Sequence, residues 1–281
     1  AARVMHKFIK IYRQDIKNVL SFVQYCDILM LTSDTRRRDT MPEENRQFLL
    51  RLGGMSRMEQ ALIGQLSDQE LREWEKKYAQ AYQELMAYYR CAMMAVETKF
   101  NVLNEELSLR YDRNPIELVR TRMKTPESIV EKMSRRGFPL TVESIEENIH
   151  DIAGVRVICA FPSDIYKLAE MFLRQDDIRL LERKDYFQNP KPNGYRSLHL
   201  VVETPIFLHD SKRIMKVEVQ FRTISMDWWA SLEHKIRYKK NLVLSEEIDR
   251  ELYRCAEVSA ELDRRMERLH QTVAKLQNEE I

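Results

Sequence analysis

The stretch Lys216-Val-Glu-Val-Gln-Phe-Arg-Thr223 constrains this chain more than any other. It alternates with period two: Val217, Val219 and Phe221 fall on one face, and Glu218, Gln220 and Arg222 on the other. That is the pattern of a strand with one buried face. The polar face is unusual, since it sets an acid, an amide and a guanidinium in a row. Taken alone, the stretch supports two readings, a solvated amphipathic strand or one wall of a polar site.

Two further stretches fit beside it. Tyr195 to Thr204 reads as a strand with Leu198, Leu200 and Val202 on its apolar face and Tyr195, Ser197 and His199 on the other. Gly154 to Phe161 places Val155, Val157, Cys159 and Phe161 on one side and Arg156 on the other, with Asp151 just ahead. If the three strands are neighbours, they bring two acids, a His, a Tyr and two Arg to one surface. That surface suits a phosphorylated substrate.

The chain has 281 residues, enough for one large or two ordinary domains. Charged residues make up 32% and the net charge is +2, so the overall charge argues neither for nor against nucleic acid and only local clusters can. No apolar run approaches the ~20 residues of a membrane span. The chain opens A-A-R-V-M-H-K, without a secretory apolar region or an initiator Met, which predicts a cytoplasmic protein whose native N-terminus is trimmed or missing. Cys26, Cys91, Cys159 and Cys255 are far apart and form no C-x-x-C, which fits reduced thiols. Walker A, G-x-G-x-x-G, H-E-x-x-H and G-x-S-x-G motifs are absent.

Helical patterns flank the strands. Residues 1–31 carry a stripe of Tyr12, Ile16, Val19, Val23 and Cys26, followed by a polar linker over 32–46 that contains Arg36-Arg37-Arg38. A second helix is expected over 45–65, interrupted at Gly53-Gly54, and a long one from Leu71 to about Leu109. After Asn114-Pro115 a connector holds Arg120, Arg122 and Lys124. Thr125-Pro126-Glu127 then starts a helix that ends at Gly137. Ser128, Lys132 and Arg135 share one face of that helix at i, i+4 and i+7, near an N-terminus whose N–H groups favour anions. This set reads either as a phosphate site or as a basic solvated helix. Thr141 caps a short helix to Asn148, Ser163 to Arg174 forms another, and a strand lies near 178–181. Residues 185–195 form a loop by their Pro, Asn and Gly content, and 225–240 form a helix. The last helix, about 245–278, sets Leu262, Met266, Leu269, Val273 and Leu276 at steps of four and three, the spacing of a helix-pairing seam.

The segments R-T-R-M-K-T-P-E-S-I-V-E-K-M (120–133), D-I-A-G-V-R-V-I-C-A-F (151–161), D-Y-F-Q-N-P-K-P-N-G-Y-R-S-L-H-L (185–200), V-E-V-Q-F-R-T (217–223) and W-A-S-L-E-H-K (229–235) together resemble the synthetase domain of the RelA/SpoT homologue family. Within it they are most similar to the small alarmone synthetases. The likeness runs from residue 71 to the C-terminus. It implies an α+β fold, a mixed β-sheet with flanking helices related to nucleotidyltransferases. It also implies transfer of the β,γ-pyrophosphate of ATP to the 3′-hydroxyl of GDP or GTP, with Mg²⁺.

The residues matching the family's motifs carry implied roles. Asp151 and Glu218 match the Mg²⁺-binding acids, and Glu218 is also placed as the base. Arg122, Lys124, Ser128, Lys132, Arg135 and Arg156 match the ATP side. Lys191, Tyr195, His199, Gln220 and Glu233 match the acceptor side, with Tyr195 stacking on guanine. The expected division is a helical extension over 1–70 of unknown role, which the resemblance does not reach, a synthetase domain over 71–240, and a C-terminal helix over 241–281 whose apolar seam is expected to join subunits into a homo-oligomer. Residues 1–70 are too few for the hydrolase domain of long family members.

Two alternatives stand beside this one. Some relatives act as toxins that place the same group on the 3′ end of tRNA or on an adenine nucleotide, and Arg36–Arg38 with Lys235, Arg237, Lys239 and Lys240 leave room for RNA. The other is a catalytically inactive nucleotide-sensing module.

Overall fold

The structure is a computed structural model that describes residues 68–110, 113–237 and 245–279, of which 68–78 and 277–279 are described by their backbone alone. The expected helices over 1–31 and 45–65, and the Arg36–Arg38 run, lie outside the described residues. The chain divides into two compact units: of the described residues, 68–88 and 124–152 belong to one, 89–123 and 153–279 to the other.

Helix α1, Asp68–Arg110, runs through both units without a Gly or Pro to break it. In the first unit it buries Tyr82, Leu85 and Met86. This unit also holds α2, Pro126–Arg136, and α3, Val142–Asn148. Both start as the sequence predicts. Thr125 accepts the backbone N–H of Ser128, and Thr141 accepts that of Ser144. Helix α2 ends at Gly137 with φ 69°, the left-handed conformation that glycine adopts without penalty. Ile129, Met133, Ile145, Ile149 and Ile152 are buried.

The second unit is built on a five-stranded sheet in the order β1-β2-β5-β4-β3. Its strands are β1 Ile116–Met123, β2 Ala153–Cys159, β3 Arg179–Asp185, β4 Leu198–Phe207 and β5 Lys212–Thr223. Strands β2 and β5 are parallel and the other neighbours antiparallel, so the sheet is mixed. The apolar face carries Val155, Val157, Leu198, Leu200, Val202, Val217, Val219 and Phe221, all buried. Helix α4, Pro162–Leu173, and the second half of α1 contribute to the same core: Phe100 stacks on Phe172 at 4.7 Å and meets Phe221 edge-on at 5.6 Å. Each such side chain taken out of water stabilises the unit by about 1.5–3 kcal/mol. The other face of the sheet is thereby left to polar groups.

Three expectations change. The segment expected as a connector at 120–123 is strand β1, paired with β2 from Ile116 to Met123. Only Ile116 of β1 is buried, because β1 is an edge strand. Its sequence therefore lacks the apolar alternation that marks β5. Second, β2 ends at Cys159, and Phe161 lies outside it as the residue ahead of α4, which opens on Pro162. Third, β4 begins at Leu198 and not at Tyr195; the residues before it belong to the preceding loop.

Helices α5, Ile224–Arg237, and α6, Glu246–Glu279, complete the unit. Helix α6 is fastened along one side. Its Leu252 carbonyl accepts the Trp229 indole N–H, its Ser259 carbonyl accepts the Ser225 hydroxyl, and Asp263 accepts the Thr223 hydroxyl. Glu267 accepts the Ser163 backbone N–H. The His270 ring lies flat on Phe161 at 4.6 Å and takes a hydrogen bond from Arg113, whose guanidinium also forks onto buried Asp164. Leu262, Met266, Leu269, Val273 and Leu276 remain exposed.

Among the described residues no helix is long and apolar enough to cross a membrane. Cys91, Cys159 and Cys255 are free thiols, and Cys159 is buried, with burial pushing its pKa up.

Candidate active site

In the unit holding 124–152, Asp151 follows α3 and faces two lysines. Lys132 Nζ stands 2.8 Å from one carboxylate oxygen and Lys124 Nζ 3.3 Å from the other. Burial raises the Asp151 pKa, but the Lys132 hydrogen bond and the two ammonium charges outweigh it and hold the carboxyl below its usual range. Two cations on one anion leave a net positive cluster. Ser128 lies one turn before Lys132, and its hydroxyl accepts a hydrogen bond from Thr125. Arg135 stays outside the cluster, exposed beside Glu131.

In the unit of the sheet, register gathers the polar face. Arg120 of β1 sits opposite Arg156 of β2, Arg156 opposite Gln220 of β5, Gln220 opposite His199 of β4, and His199 opposite Lys184 of β3. Paired residues on neighbouring strands share a face, so one row crosses the whole sheet. In the next row Arg122 lies opposite Gly154, and Gly154 opposite Glu218. Position 154 thus carries no side chain between them.

Glu218 is the acid of this face. His199 Nδ1 lies 3.2 Å from one of its oxygens, and the Gln220 amide donates to the other at 2.7 Å. The second ring nitrogen of His199 is 3.0 Å from the Tyr195 hydroxyl. Arg156 and Arg222 both donate to Asp227 Oδ1, at 3.2 and 3.1 Å, and Arg120 stands 3.9 Å from Oδ2. Burial, first, and the neighbouring Arg222 charge lower the Arg156 pKa.

The loop before β4 has a built conformation. Asp185 accepts the N–H groups of Phe187 and Gln188, a turn that Asp makes with its own side chain. Gly194, at φ 84°, donates its N–H to Lys191 and lets the chain double back. Tyr195 then packs against Met226, Trp229 and Ala256 and is 7% exposed. Lys191 Nζ rests 4.7 Å from the Tyr186 ring and 5.0 Å from the Tyr195 ring, and the Arg222 guanidinium also lies 5.0 Å from Tyr195. Burial lowers the Lys191 pKa. Glu233 on α5 accepts the Asn193 amide at 3.2 Å and pairs with Arg237, which also bridges to Asp249. Arg237 is therefore engaged within the fold. Lys235 is exposed, and Lys239 and Lys240 lie outside the described residues.

The sheet thus brings together Arg156, His199, Gln220 and Glu218, and the loop adds Tyr195 and Lys191. The sequence reading left Asn193, Arg120 and Asp227 out and gave Arg222 no part beyond the strand face. Arg222 carried a signal, its place in the alternating face of β5. Asp227 carried none, because it lies on the helix beyond the strand and only folding turns it back onto the arginines.

A mixed sheet with an acid, an imidazole, an amide and several guanidinium groups on one face defines a domain for phosphorylated ligands. Residues 121–242 match the family model described as the region found in RelA / SpoT proteins. GTP pyrophosphokinase YwaC of Bacillus subtilis is 47% identical over 178 residues, covering 63% of this chain and 85% of the relative. The crystal structure of small alarmone synthetase 2 from Bacillus subtilis aligns with a TM-score of 0.62 at 43% identity, over 68% of this chain and 98% of that one. That of small alarmone synthetase 1 from the same organism, bound to its product pppGpp, aligns with a TM-score of 0.64 at 34% identity, over 69% of this chain and 98% of that one. The chain belongs to the RelA/SpoT family, among its small alarmone synthetases.

Proposed function

We infer that this chain is a GTP pyrophosphokinase, moving the β,γ-pyrophosphate of ATP onto the 3′-oxygen of GDP or GTP. The observation that carries the chemistry is Glu218, a carboxylate fixed between His199 and Gln220 on a face rich in guanidinium groups. In the transfer the 3′-oxygen bonds to the β-phosphorus, the bond from that phosphorus to the oxygen of AMP breaks, and the hydroxyl proton passes to Glu218. Removing that proton and neutralising the donor phosphates are the main demands of such a step.

The basic groups divide between the two nucleotides. Lys124, Lys132 and Ser128, with Arg122, Arg135 and Arg156, meet ATP. Lys191, Tyr195, His199, Gln220 and Glu233 serve the acceptor. Tyr195 offers its ring to guanine, and Lys191 leaves the rings it covers to meet the acceptor's phosphates.

Mg²⁺ suits this donor set. Asp151 and Glu218 are hard carboxylates, and Mg²⁺ takes one or two of these and completes its shell with substrate phosphates and water. Among the described residues no group of three His, Cys, Asp or Glu gathers to hold a metal unaided. When bound, the ion supplies charge neutralisation on the phosphates. Asp151 and Glu218 are the residues that would hold it.

Residues 71–240 are assigned the transfer and the C-terminal helix the pairing of subunits, through the exposed Leu262, Met266, Leu269, Val273 and Leu276. Free thiols and nucleotide substrates favour a cytoplasmic site of action. The test is one assay: purified protein, labelled ATP and Mg²⁺, with GDP, GTP, ATP and tRNA as separate acceptors at low and moderate salt. Label on GDP or GTP is expected. Label mainly on tRNA, falling steeply with salt, overturns the acceptor. No transfer to any of them, with ATP still bound, turns the chain into a nucleotide sensor.

A further inference from the structure

The hydrogen bonds around Glu218 have a direction, and it is set by Arg222. A guanidinium only donates. Arg222 Nε donates to the Tyr195 hydroxyl at 3.0 Å, so that oxygen is an acceptor there. The hydroxyl's own proton is then directed to His199 Nε2, 3.0 Å away. An imidazole that accepts at Nε2 carries its proton on Nδ1. That N–H points at Glu218 Oε1, 3.2 Å away. The second arm is shorter. Arg222 Nη2 donates to Gln220 Oε1 at 3.3 Å, which turns the amide nitrogen toward Glu218 Oε2 at 2.7 Å. Both arms leave one guanidinium and both deliver an N–H to the same carboxylate.

Arg222 is itself held. It is 8% exposed, and its third nitrogen donates at 3.1 Å to Asp227, which is 7% exposed. A buried cation with a buried anion and two outgoing hydrogen bonds has little freedom to turn.

We propose that Arg222, anchored by Asp227, is a positioning residue of the pyrophosphoryl transfer: it fixes the tautomer of His199 and the orientation of the Gln220 amide, and so the place of the Glu218 carboxylate. The proposal rests on the reading of Glu218 as the base. Without Arg222 the Gln220 amide is free to flip and set its oxygen against the carboxylate, and the Tyr195 hydroxyl is free to turn from His199. Arg222 needs no contact with either nucleotide for this role.

The test uses the full chain with Arg222→Gln, Arg222→Lys and, separately, Glu218→Gln. Arg222→Gln lowers kcat by about 10²-fold, the loss that a displaced catalytic group produces, while the KM for ATP stays near wild type. Arg222→Lys keeps the charge beside Asp227 but cannot serve both arms, and falls between. Long-range ¹H–¹⁵N spectra supply a readout independent of turnover. The His199 signals, assigned by their loss in His199→Gln, show the Nδ1-protonated ring in wild type and a mixture of tautomers in Arg222→Gln. If Arg222→Gln fails to fold by circular dichroism, Arg222→Lys carries the same comparison. Wild-type kcat or an unchanged His199 tautomer in the folded variant overturns the proposal. The two readings fail separately: an active Glu218→Gln removes the base, whereas an inactive Glu218→Gln beside a fully active Arg222→Gln removes only the positioning role.

Discussion

Gly194 and Ala256 touch with no room for a side chain between them: a Cβ on Gly194 would stand 2.6 Å from the Ala256 Cβ. Gly194 precedes Tyr195, and Ala256 lies in the first third of the last helix. The loop before β4 is therefore seated on α6, and Arg196, just after Tyr195, adds a hydrogen bond to Glu257 at 2.9 Å.

Gly194→Ala strains this seat twice. Left-handed backbone at φ 84° costs a non-glycine residue about 1–2 kcal/mol, and crowding against Ala256 adds about 1–3 kcal/mol. The variant is expected to melt earlier and to raise the KM for GDP more than the KM for ATP. Thermal unfolding and steady-state kinetics check both, and equal changes in the two KM values would remove the link between this glycine and the acceptor.

Glu218→Gln is expected to abolish transfer while ATP still binds. The swap is nearly isosteric on a strand whose opposite face, Val217, Val219 and Phe221, is fully buried, so the fold is kept. Turnover measured beside calorimetric ATP binding gives the answer. A folded variant with unchanged turnover excludes Glu218 as base and as essential metal ligand.

Tyr195→Ala is expected to weaken the acceptor by about 1–3 kcal/mol, the value of one base–aromatic stack, with little change in ATP affinity. Equilibrium binding of each nucleotide separates the two. A change confined to ATP means that the pockets are assigned in reverse.

Much of this was legible before folding, where local chemistry decided it. Thr125 and Gly137 bracket α2 because caps are read from neighbouring residues. Val217, Val219 and Phe221 mark β5 because that strand buries one face completely. Strand β1 was illegible for the opposite reason. Edge strands are half solvated, and Arg120, Thr121 and Arg122 take their extended conformation from pairing with β2. The neighbourhood of Arg156, Gln220 and His199 depends on strand order, which no local pattern encodes. Asp227 was missed because its partners, Arg156 and Arg222, reach it only through tertiary structure.

Asp263 yields a pH prediction. Burial raises its pKa above the ordinary value, and the hydrogen bonds from Thr223 and Ser225 offset this only in part. The protonated acid is thus favoured in the fold. Its stabilisation is full below the unfolded pKa, near ~3.9, and is lost as pH rises through the higher folded value. Asp263→Asn, which can still accept from Thr223, is expected to raise the melting temperature at neutral pH, with the gain shrinking as pH falls toward 4. A gain that is independent of pH would rule out ionisation of Asp263 as its source.

Leu269→Glu is expected to lower the mass of the particle in light scattering. Leu269 is 60% exposed between Leu262 and Leu276, and a charge there disrupts any seam built on them. A wild-type protein that already runs as a monomer refutes this pairing.

The fastenings of α6 run from Leu252 to His270, a rod of about 27 Å at ~1.5 Å per residue. They tie it to α5, the loop before β4, the end of β5, the start of α4 and the segment before β1. A slip of one residue would turn every side chain by about 100° and undo all of them together. The helix is therefore indexed like a key in its lock. Its outer stripe is set at an angle fixed from within, and any assembly built on that stripe would take its symmetry from the interior contacts of a single chain.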